Sequence, residues 1–209
     1  MRAGLSGLST RCIAHSALVG LLLVPGFAVA DPGTAEGRHY SHRGMKAAMA
    51  IGSLHNTSKL NLSDAGMFGL RVGYGFDDRL SLWLGASGSD HDPDRGLGAN
   101  SEAQNLGGLN LAVQYRFLPE ERVQPYGTIG IGAYSMEEES THDALSGGGF
   151  TFGLGADWFV SRRVAFGAEL EYRNASYTHE RVGEKGKFKE REQALDGDAM
   201  GLLFSISLQ

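Results

Sequence analysis

Carboxylates at regular spacing in the chain could hold a metal ion. Asp90, Asp92 and Asp94 stand at i, i+2 and i+4, which is the spacing of the first three ligands of a calcium loop. The glycine of such a loop comes one position late, at Gly96, and Ser101 stands where the loop needs its bidentate glutamate. We therefore expect an acidic, solvated loop here, with a metal site as the alternative.

Two groups of serine, histidine and acid residues could catalyse acyl transfer. They are His142 with Asp143 and Ser146, and His179 with Ser176 and Glu180. In a catalytic triad the histidine activates the serine hydroxyl and the acid orients the histidine. Both groups fall in segments that read as loops, where hydrophilic residues are ordinary, and a triad is recognised by geometry and not by composition. We predict that the protein is not an enzyme and that it carries no cofactor.

Six charged residues lie within segments that alternate like β-strands. They are Arg71, Arg116, Asp157, Glu169, Glu171 and Arg173. Each takes the face of its strand opposite the apolar face, and a buried charge needs a partner. The balanced signs predict a network of ion pairs, in which the partner of Arg71 is either Glu169 or Glu171. The alternative is a conduit or a catalytic carboxylate.

The alternation that must position these charges is clearest between residues 150 and 173. Two strands of period two are joined there by a short turn at 161–163. One face is apolar and becomes aromatic near the strand ends, while the other carries glycine, threonine and a few charges. Glycine on the wet face of a soluble sheet would weaken the strand for no gain. A membrane barrel instead needs an apolar outer face and a small, polar lumen, and the pattern is typical of one.

The rest of the chain repeats this alternation and gives eight candidate strands. The connections between them are in turn long and short. The short ones are 77–79, 118–122 and 161–163, and the long ones are 54–65, 88–104, 135–148 and 174–197. A barrel of adjacent antiparallel strands with both ends on one side requires this order. We predict an all-β, eight-stranded antiparallel up-and-down transmembrane barrel over residues 44–209.

The first 30 residues read as a cleaved signal peptide. Cations at Arg2 and Arg11 precede an apolar run at 17–24, and the small residues Ala-Val-Ala follow at 28–30. The apolar run is too short to cross about 30 Å of hydrocarbon as a helix. Cys12, the only cysteine, lies in this segment, so the mature chain is expected to contain no disulfide and no thiolate metal site.

Loss of the signal peptide removes two of the 19 Lys and Arg residues and none of the 24 acids, so the formal net charge falls from −5 to −7. A mildly acidic chain is poorly suited to nucleic acid, which needs basic patches. Residues 31–43 read as a flexible lead-in. They include His39 and His42, whose spacing could hold a metal on a helix, but the surrounding pattern is not helical.

Three segments resemble a known family. They are YGFDDRLSL at 74–82, QPYGTIGIG at 124–132, and GADWF at 155–159 with ELEYR at 169–173. They resemble the outer-membrane β-barrel domain family, which includes small eight-stranded surface proteins of Gram-negative bacteria. The resemblance covers about residues 44–209 and implies an outer-membrane location, but the family includes adhesins, stability proteins and members of unknown role. One departure is the end of the chain, where Gln209 follows Leu208 and an aromatic residue is usual.

We predict a non-catalytic role in envelope structure or surface interaction, with the lumen plugged by polar and charged side chains. An eight-stranded barrel is only just wide enough for side chains to fill, and Trp83, Tyr126 and Phe159 are also predicted to point inward. Cations within 181–191 could hold lipopolysaccharide phosphates. We expect outer-membrane lipid and lipopolysaccharide as partners, possible envelope or extracellular partners of the long loops, and a monomer.

Two alternatives remain open at the level of sequence. The first is an enzyme that modifies lipid A, since some small barrels act on that lipid with serine, histidine and acid groups at the outer rim. The second is a soluble periplasmic barrel that binds an apolar ligand. Such a barrel would also alternate with period two, but its apolar face would point inward.

Overall fold

The computed structural model describes residues 40, 42–57, 64–91, 104–138, 142–183 and 186–209. The predicted signal peptide, most of the predicted lead-in and much of the connection at 88–104 lie outside the described residues. In the part of the chain that is described, no helix is long and apolar enough to span a membrane.

Nine strands make one antiparallel sheet. They are β1 Gly44–Asn56, β2 Ala65–Gly75, β3 Leu80–His91, β4 Gln104–Arg116, β5 Val123–Glu138, β6 Ala144–Phe159, β7 Val164–Arg181, β8 Lys189–Asp196 and β9 Ala199–Leu208. Each of β1 to β7 pairs with the next strand in the chain, and β9 lies between β7 and β1. The eight strands β1–β7 and β9 therefore form a closed barrel, which confirms the predicted fold class. Closure leaves these strands without a free edge.

The predicted long connection at 174–197 was wrong in part. Strand β7 continues to Arg181. Strand β8 pairs with the last part of β7, from Ser176↔Asp196 to Glu180↔Lys189. Similarly, β5 and β6 leave only residues 139–143 of the predicted connection at 135–148. The ladder of backbone hydrogen bonds thus continues after the hydrophobic alternation has ended, because a strand with water on its outer face needs no apolar stripe there.

The outward face of the barrel is apolar over its whole circumference. Large exposed side chains stand on every barrel strand, including Ile51, Val72, Leu84, Leu111, Ile131, Leu154, Leu170 and Phe204. Exposed aromatic pairs stand at the strand ends near the short turns, such as Tyr74 with Phe76 and Tyr115 with Phe117. An apolar band bordered by aromatic residues is the surface that a transmembrane barrel presents to lipid.

This outward face gives a direct test of lipid contact. Leu111 lies near the middle of β4 and is 43% exposed. Its replacement with arginine should destabilise the barrel by about 2–4 kcal/mol if the position is near the bilayer midplane, whereas Leu111→Ala should have a much smaller effect. Unfolding in urea of the barrel inserted in phospholipid vesicles measures both. Equal stability of the two variants would mean that this face does not meet lipid.

The short turns define one end of the barrel, which we call the short-turn end. In the first turn, Oδ1 of Asp77 accepts hydrogen bonds from the backbone N–H groups of Arg79 and Leu80, both at 2.7 Å. In the third, Oγ of Ser161 accepts the N–H groups of Arg163 and Val164. Such side-chain to backbone bonds stabilise tight turns. The opposite end, where β7 and β8 extend the wall, is the hairpin end.

Candidate functional site

All six charged residues predicted for the lumen point into it, and Glu169 lies at the centre of one cluster. Nη1 of Arg71 lies 3.0 Å from Oε2 of Glu169. The same carboxylate accepts the hydroxyl of Tyr126 at 2.9 Å and that of Thr128 at 3.3 Å. Glu169 is only 3% exposed, so three donors compensate for a charge that has almost no contact with solvent.

A second ion pair joins Arg116 and Asp157 closer to the short-turn end. Nη2 of Arg116 lies 3.0 Å from Oδ2 of Asp157, and the side chain of Arg116 is fully buried. Lys46 is also buried and donates to Oγ of Ser81 at 2.8 Å. Lys46 was not among the predicted lumen charges. Its inward orientation could have been predicted, because it stands between the outward-facing Met45 and Ala47.

The third ion pair lies nearer the hairpin end. Nη2 of Arg173 is 2.9 Å from Oε1 of Glu171, and the guanidinium carbon is 4.8 Å from the centre of the Tyr134 ring. This Arg173 nitrogen also approaches Sδ of Met67 at 3.8 Å. Glu171 therefore pairs with its own strand neighbour, and Glu169 is the partner of Arg71.

Between this pair and the hairpin end the lumen is apolar. The expectation of a small, polar interior was wrong for this part of the barrel. Buried apolar and aromatic side chains pack together in an apolar cluster made of Leu54, Met67, Leu106, Tyr134, Met136, Ala175, Tyr177, Ala199 and Leu203. A lumen that contains no bulk water needs close-packed side chains and not polar ones. The sequence pattern concealed this cluster, because its members lie where the alternation had been read as glycine-rich or as a loop.

Residues before β1 and after β9 meet at the short-turn end. The ring of Phe159 is fully buried against Tyr40 and His42, with ring centres 4.9 and 5.3 Å apart. Nδ1 of His42 lies 2.5 Å from Oε1 of Gln209, and Nε2 lies 3.3 Å from the Pro119 carbonyl. Since a neutral imidazole has a single N–H, only one of the two ring nitrogens of His42 can donate.

Burial is the main cause that lowers the pKa of His42 to about 4, and the positive charge of Arg116 is the second. The ring is therefore neutral at pH 7. The contacts of His42 are to an amide and a carbonyl, which are not the surroundings of a metal ligand. His39 lies outside the described residues. Gln209, which stands where an aromatic residue is usual in the family, contacts His42 instead.

The sequence matches the family model described as "Outer membrane protein beta-barrel domain" over residues 18–206. The chain belongs to this family. Its location is the bacterial outer membrane, where the short turns of such barrels face the periplasm. By this rule we assign the short-turn end to the periplasm and the hairpin end to the extracellular side. No curated protein matches the chain.

Two solved structures of outer-membrane proteins have a similar fold. Neisserial surface protein A is 14% identical with a TM-score of 0.59, and the alignment covers 79% of this chain and 96% of that one. The outer membrane protein OprG from Pseudomonas aeruginosa is 16% identical with a TM-score of 0.59, and the alignment covers 82% and 98% of the two chains. At this level of identity the likeness shows the fold alone.

Members of the two predicted serine–histidine–acid groups have partners outside those groups. Nδ1 of His142 faces Oε1 of Glu137 at 3.3 Å, and Oδ1 of Asp143 accepts the N–H of Gly183 at 2.7 Å. Glu180 forms an ion pair with Arg191. Glu180 therefore pairs with an arginine outside the group in which it was predicted to orient His179.

A different combination lies on the outward face near the extracellular end. Ser146 on β6 is the cross-strand partner of His179 on β7, and His179 is the partner of Glu190 on β8. Oγ1 of Thr178 lies 2.9 Å from Nδ1 of His179. Ser146 and His179 line a groove of about 710 Å³ together with small and apolar residues that include Ala133. Residues paired across two strands on one face have Cβ atoms about 4.5–5.5 Å apart. The sequence could not reveal this row, because these residues were predicted to lie in loops.

The predicted acidic metal site is only partly covered by the structure. Asp90 is an exposed residue near the end of β3, whereas Asp92 and Asp94 lie outside the described residues. Among the residues that are described, no group of three or more histidine, cysteine or acidic residues could hold a metal ion.

Proposed function

We propose that this outer-membrane barrel has a non-catalytic role in envelope structure or surface interaction and that its lumen is closed. The observation that carries the proposal is the succession of packed layers along the barrel axis. Phe159 and His42 cover the periplasmic end, three ion pairs occupy the middle, and the apolar cluster fills the extracellular half. An eight-stranded barrel has little room beyond that taken by such side chains.

The charges of the lumen fit a structural role better than a catalytic one. Glu169 has three donors around it, and Asp157 is paired with a fully buried arginine. A general acid or base must reach substrate within hydrogen-bond distance, and both carboxylates are at most 4% exposed. Each carboxylate links two strands that are not neighbours in the sheet, β7 with β2 and β6 with β4.

Surface interaction would take place at the extracellular hairpin. The hairpin of β7 and β8 extends the wall with exposed Lys187 and Lys189 and with Arg181 and Arg191. Arginine and lysine bind phosphate groups through charge-assisted hydrogen bonds. We propose lipopolysaccharide phosphates as partners of these cations, a monomeric barrel, and removal of residues 1–30 as a signal peptide.

Reconstitution of the mature barrel in planar lipid bilayers tests the closed lumen. We expect no ohmic conductance from protein that shows the heat-induced gel shift of a folded barrel, because the layers leave no continuous aqueous path. A double variant, Phe159→Gly with Arg116→Gly, should gain conductance if it still shows the gel shift, since it thins two layers at once. Stable conductance of the unchanged barrel would refute closure.

A second candidate function is hydrolysis of an acyl ester in the outer leaflet. The observation that favours it is the row of Ser146, His179 and Glu190 beside an outward groove at the extracellular end. Ser146 would attack the ester carbonyl while His179 takes its proton and then gives it to the departing alcohol, and water activated by His179 would hydrolyse the acyl-enzyme. The hydroxyl of Thr178, 2.9 Å from Nδ1, would hold the imidazole ring in position. The adjacent Glu190 would stabilise the imidazolium that forms.

Mass spectra of outer-membrane lipids separate the two functions. The non-catalytic proposal expects the same acyl composition of lipid A and phospholipids with and without the gene, also under overexpression. A loss of acyl chains that disappears with Ser146→Ala or His179→Asn would favour the hydrolase. Ser176→Ala is the matched control, because Ser176 also stands outward on β7 but pairs with Gly148 and Asp196.

A further inference from the structure

A groove of about 460 Å³ crosses the lipid-facing surface of the barrel at its periplasmic side. Its walls include Tyr115, Phe117, Phe152 and Leu154, all of which are exposed and apolar or aromatic. Volumes of about 300–1,000 Å³ are typical of small-molecule sites. Outward residues of the neighbouring strands β4, β6, β7 and β9 line this open groove around the outward face of β5.

Gly127 forms the floor of this groove. It is the cross-strand partner of Tyr115 on one side and of Leu154 on the other. A Cβ atom at this position would make only ordinary contacts, at 3.7 Å from Cδ2 of Leu154 and from Cζ of Phe117. Packing within the barrel therefore does not require glycine here, although glycine weakens a strand. The missing side chain is what opens the groove.

The direction of the groove follows the ladder of paired residues. One row runs Tyr115, Gly127, Leu154, Leu170, and the next row ends at Tyr172 and Met200. From β4 to β9 it crosses four strand spacings, or about 19 Å. Because barrel strands are tilted by about 40°, such a row climbs about 12 Å along the membrane normal. That is close to one leaflet, which is half of about 30 Å of hydrocarbon.

A cation is fixed at the periplasmic end of the groove. Nη1 of Arg79 donates to the Phe117 carbonyl at 3.1 Å and approaches the Tyr115 hydroxyl at 3.5 Å. Both partners belong to residues of the groove wall. The guanidinium is exposed, and arginine binds phosphate oxygens in a bidentate manner.

We propose that the groove holds one acyl chain of a phospholipid from the periplasmic leaflet and that Arg79 binds the phosphate of the same molecule. The apolar walls fit the chain, the rise of the groove fits one leaflet, and the charge of Arg79 is complementary to the phosphate at the depth where the chain enters. The lipid is a resident ligand of this site, distinct from the lipids that exchange along the rest of the wall.

Native mass spectrometry of the barrel extracted in a mild detergent tests this proposal. We expect one phospholipid to be retained per barrel. Gly127→Leu should reduce its retention by about tenfold or more, because a side chain of that size fills the floor and displaces several methylenes of the lipid. Gly66→Leu is the matched control, since Gly66 is also exposed on the outward face with open space around its Cβ position but lies outside the groove.

A second arm tests the head group. Barrel stripped of lipid is incubated with phosphatidylglycerol or with diacylglycerol that has the same chains. The unchanged barrel should retain phosphatidylglycerol several-fold better, Arg79→Gln should abolish the preference, and Arg162→Gln on another periplasmic turn should keep it. All variants must show the heat-induced gel shift. Retention of no phospholipid, equal retention by Gly127→Leu, or a preference that survives Arg79→Gln would each overturn the proposal.

Discussion

Replacement of Arg116 with alanine is expected to destabilise the folded barrel by about 3–5 kcal/mol, which is the usual effect of removing one partner from a buried ion pair. Arg116 is fully buried, and its Nη2 lies 3.0 Å from Asp157. Asp157 is itself 4% exposed, so water cannot replace the lost guanidinium. The variant leaves an uncompensated carboxylate inside the barrel.

The midpoint of unfolding in urea, followed by the heat-induced gel shift in detergent or in vesicles, measures this loss. Arg162→Ala, an exposed arginine on a periplasmic turn, is the control and should change stability by no more than about 0.5 kcal/mol. The double variant Arg116→Met with Asp157→Leu should be more stable than Arg116→Ala, because no buried charge is left unpaired. If Arg116→Ala unfolds like the Arg162→Ala control, the pair does not stabilise the barrel.

The transmembrane part of the fold was predictable because lipid imposes a strict pattern on the sequence. Each barrel strand must present apolar residues outward at every second position, so alternation such as that of 150–159 identifies both the strand and its outward face. The short turns were equally readable, since residues such as Asp77 and Ser161 accept backbone N–H groups there.

Outside the bilayer this constraint ends, and the prediction failed there. Residues 174–181 and 189–196 have no outward apolar stripe, yet they form strands, because backbone pairing does not depend on which side chains face water. The row of Ser146, His179 and Glu190 depends on this pairing and on a shift of register near Tyr177. A one-residue shift reverses the face on which a side chain stands, so its geometry could not be inferred from spacing.

The lumen was predictable in residue type but not in partnership. Period two places Arg71, Glu169 and Glu171 inside, but the vertical offset between distant strands depends on the stagger of the closed barrel. That stagger brings Glu169 to Arg71 and leaves Glu171 with Arg173. The contact of His42 with Gln209 was hidden for a different reason, since residues outside strands follow no period.

The Arg71–Glu169 pair carries the second large effect. Arg71→Ala is expected to destabilise the barrel by roughly 3–5 kcal/mol, because it leaves Glu169 buried with only the hydroxyls of Tyr126 and Thr128. The double variant Arg71→Ala with Glu169→Ala should cost less than the sum of the single changes, by about 1–3 kcal/mol. Unfolding in urea of all four proteins in the same vesicles closes the double-mutant cycle.

The same cycle with Glu171 is the matched control. Glu171 stands two residues along the same strand, faces the same lumen and is also buried, but its carboxylate is 2.9 Å from Arg173. Its coupling to Arg71 should therefore be well below that of Glu169. Equal couplings would mean that the charges act as one diffuse network, and strict additivity for both would remove the pairing and leave these carboxylates available for conduction or chemistry. A large coupling for Glu169 alone would show that the stagger of the barrel selects one partner for Arg71.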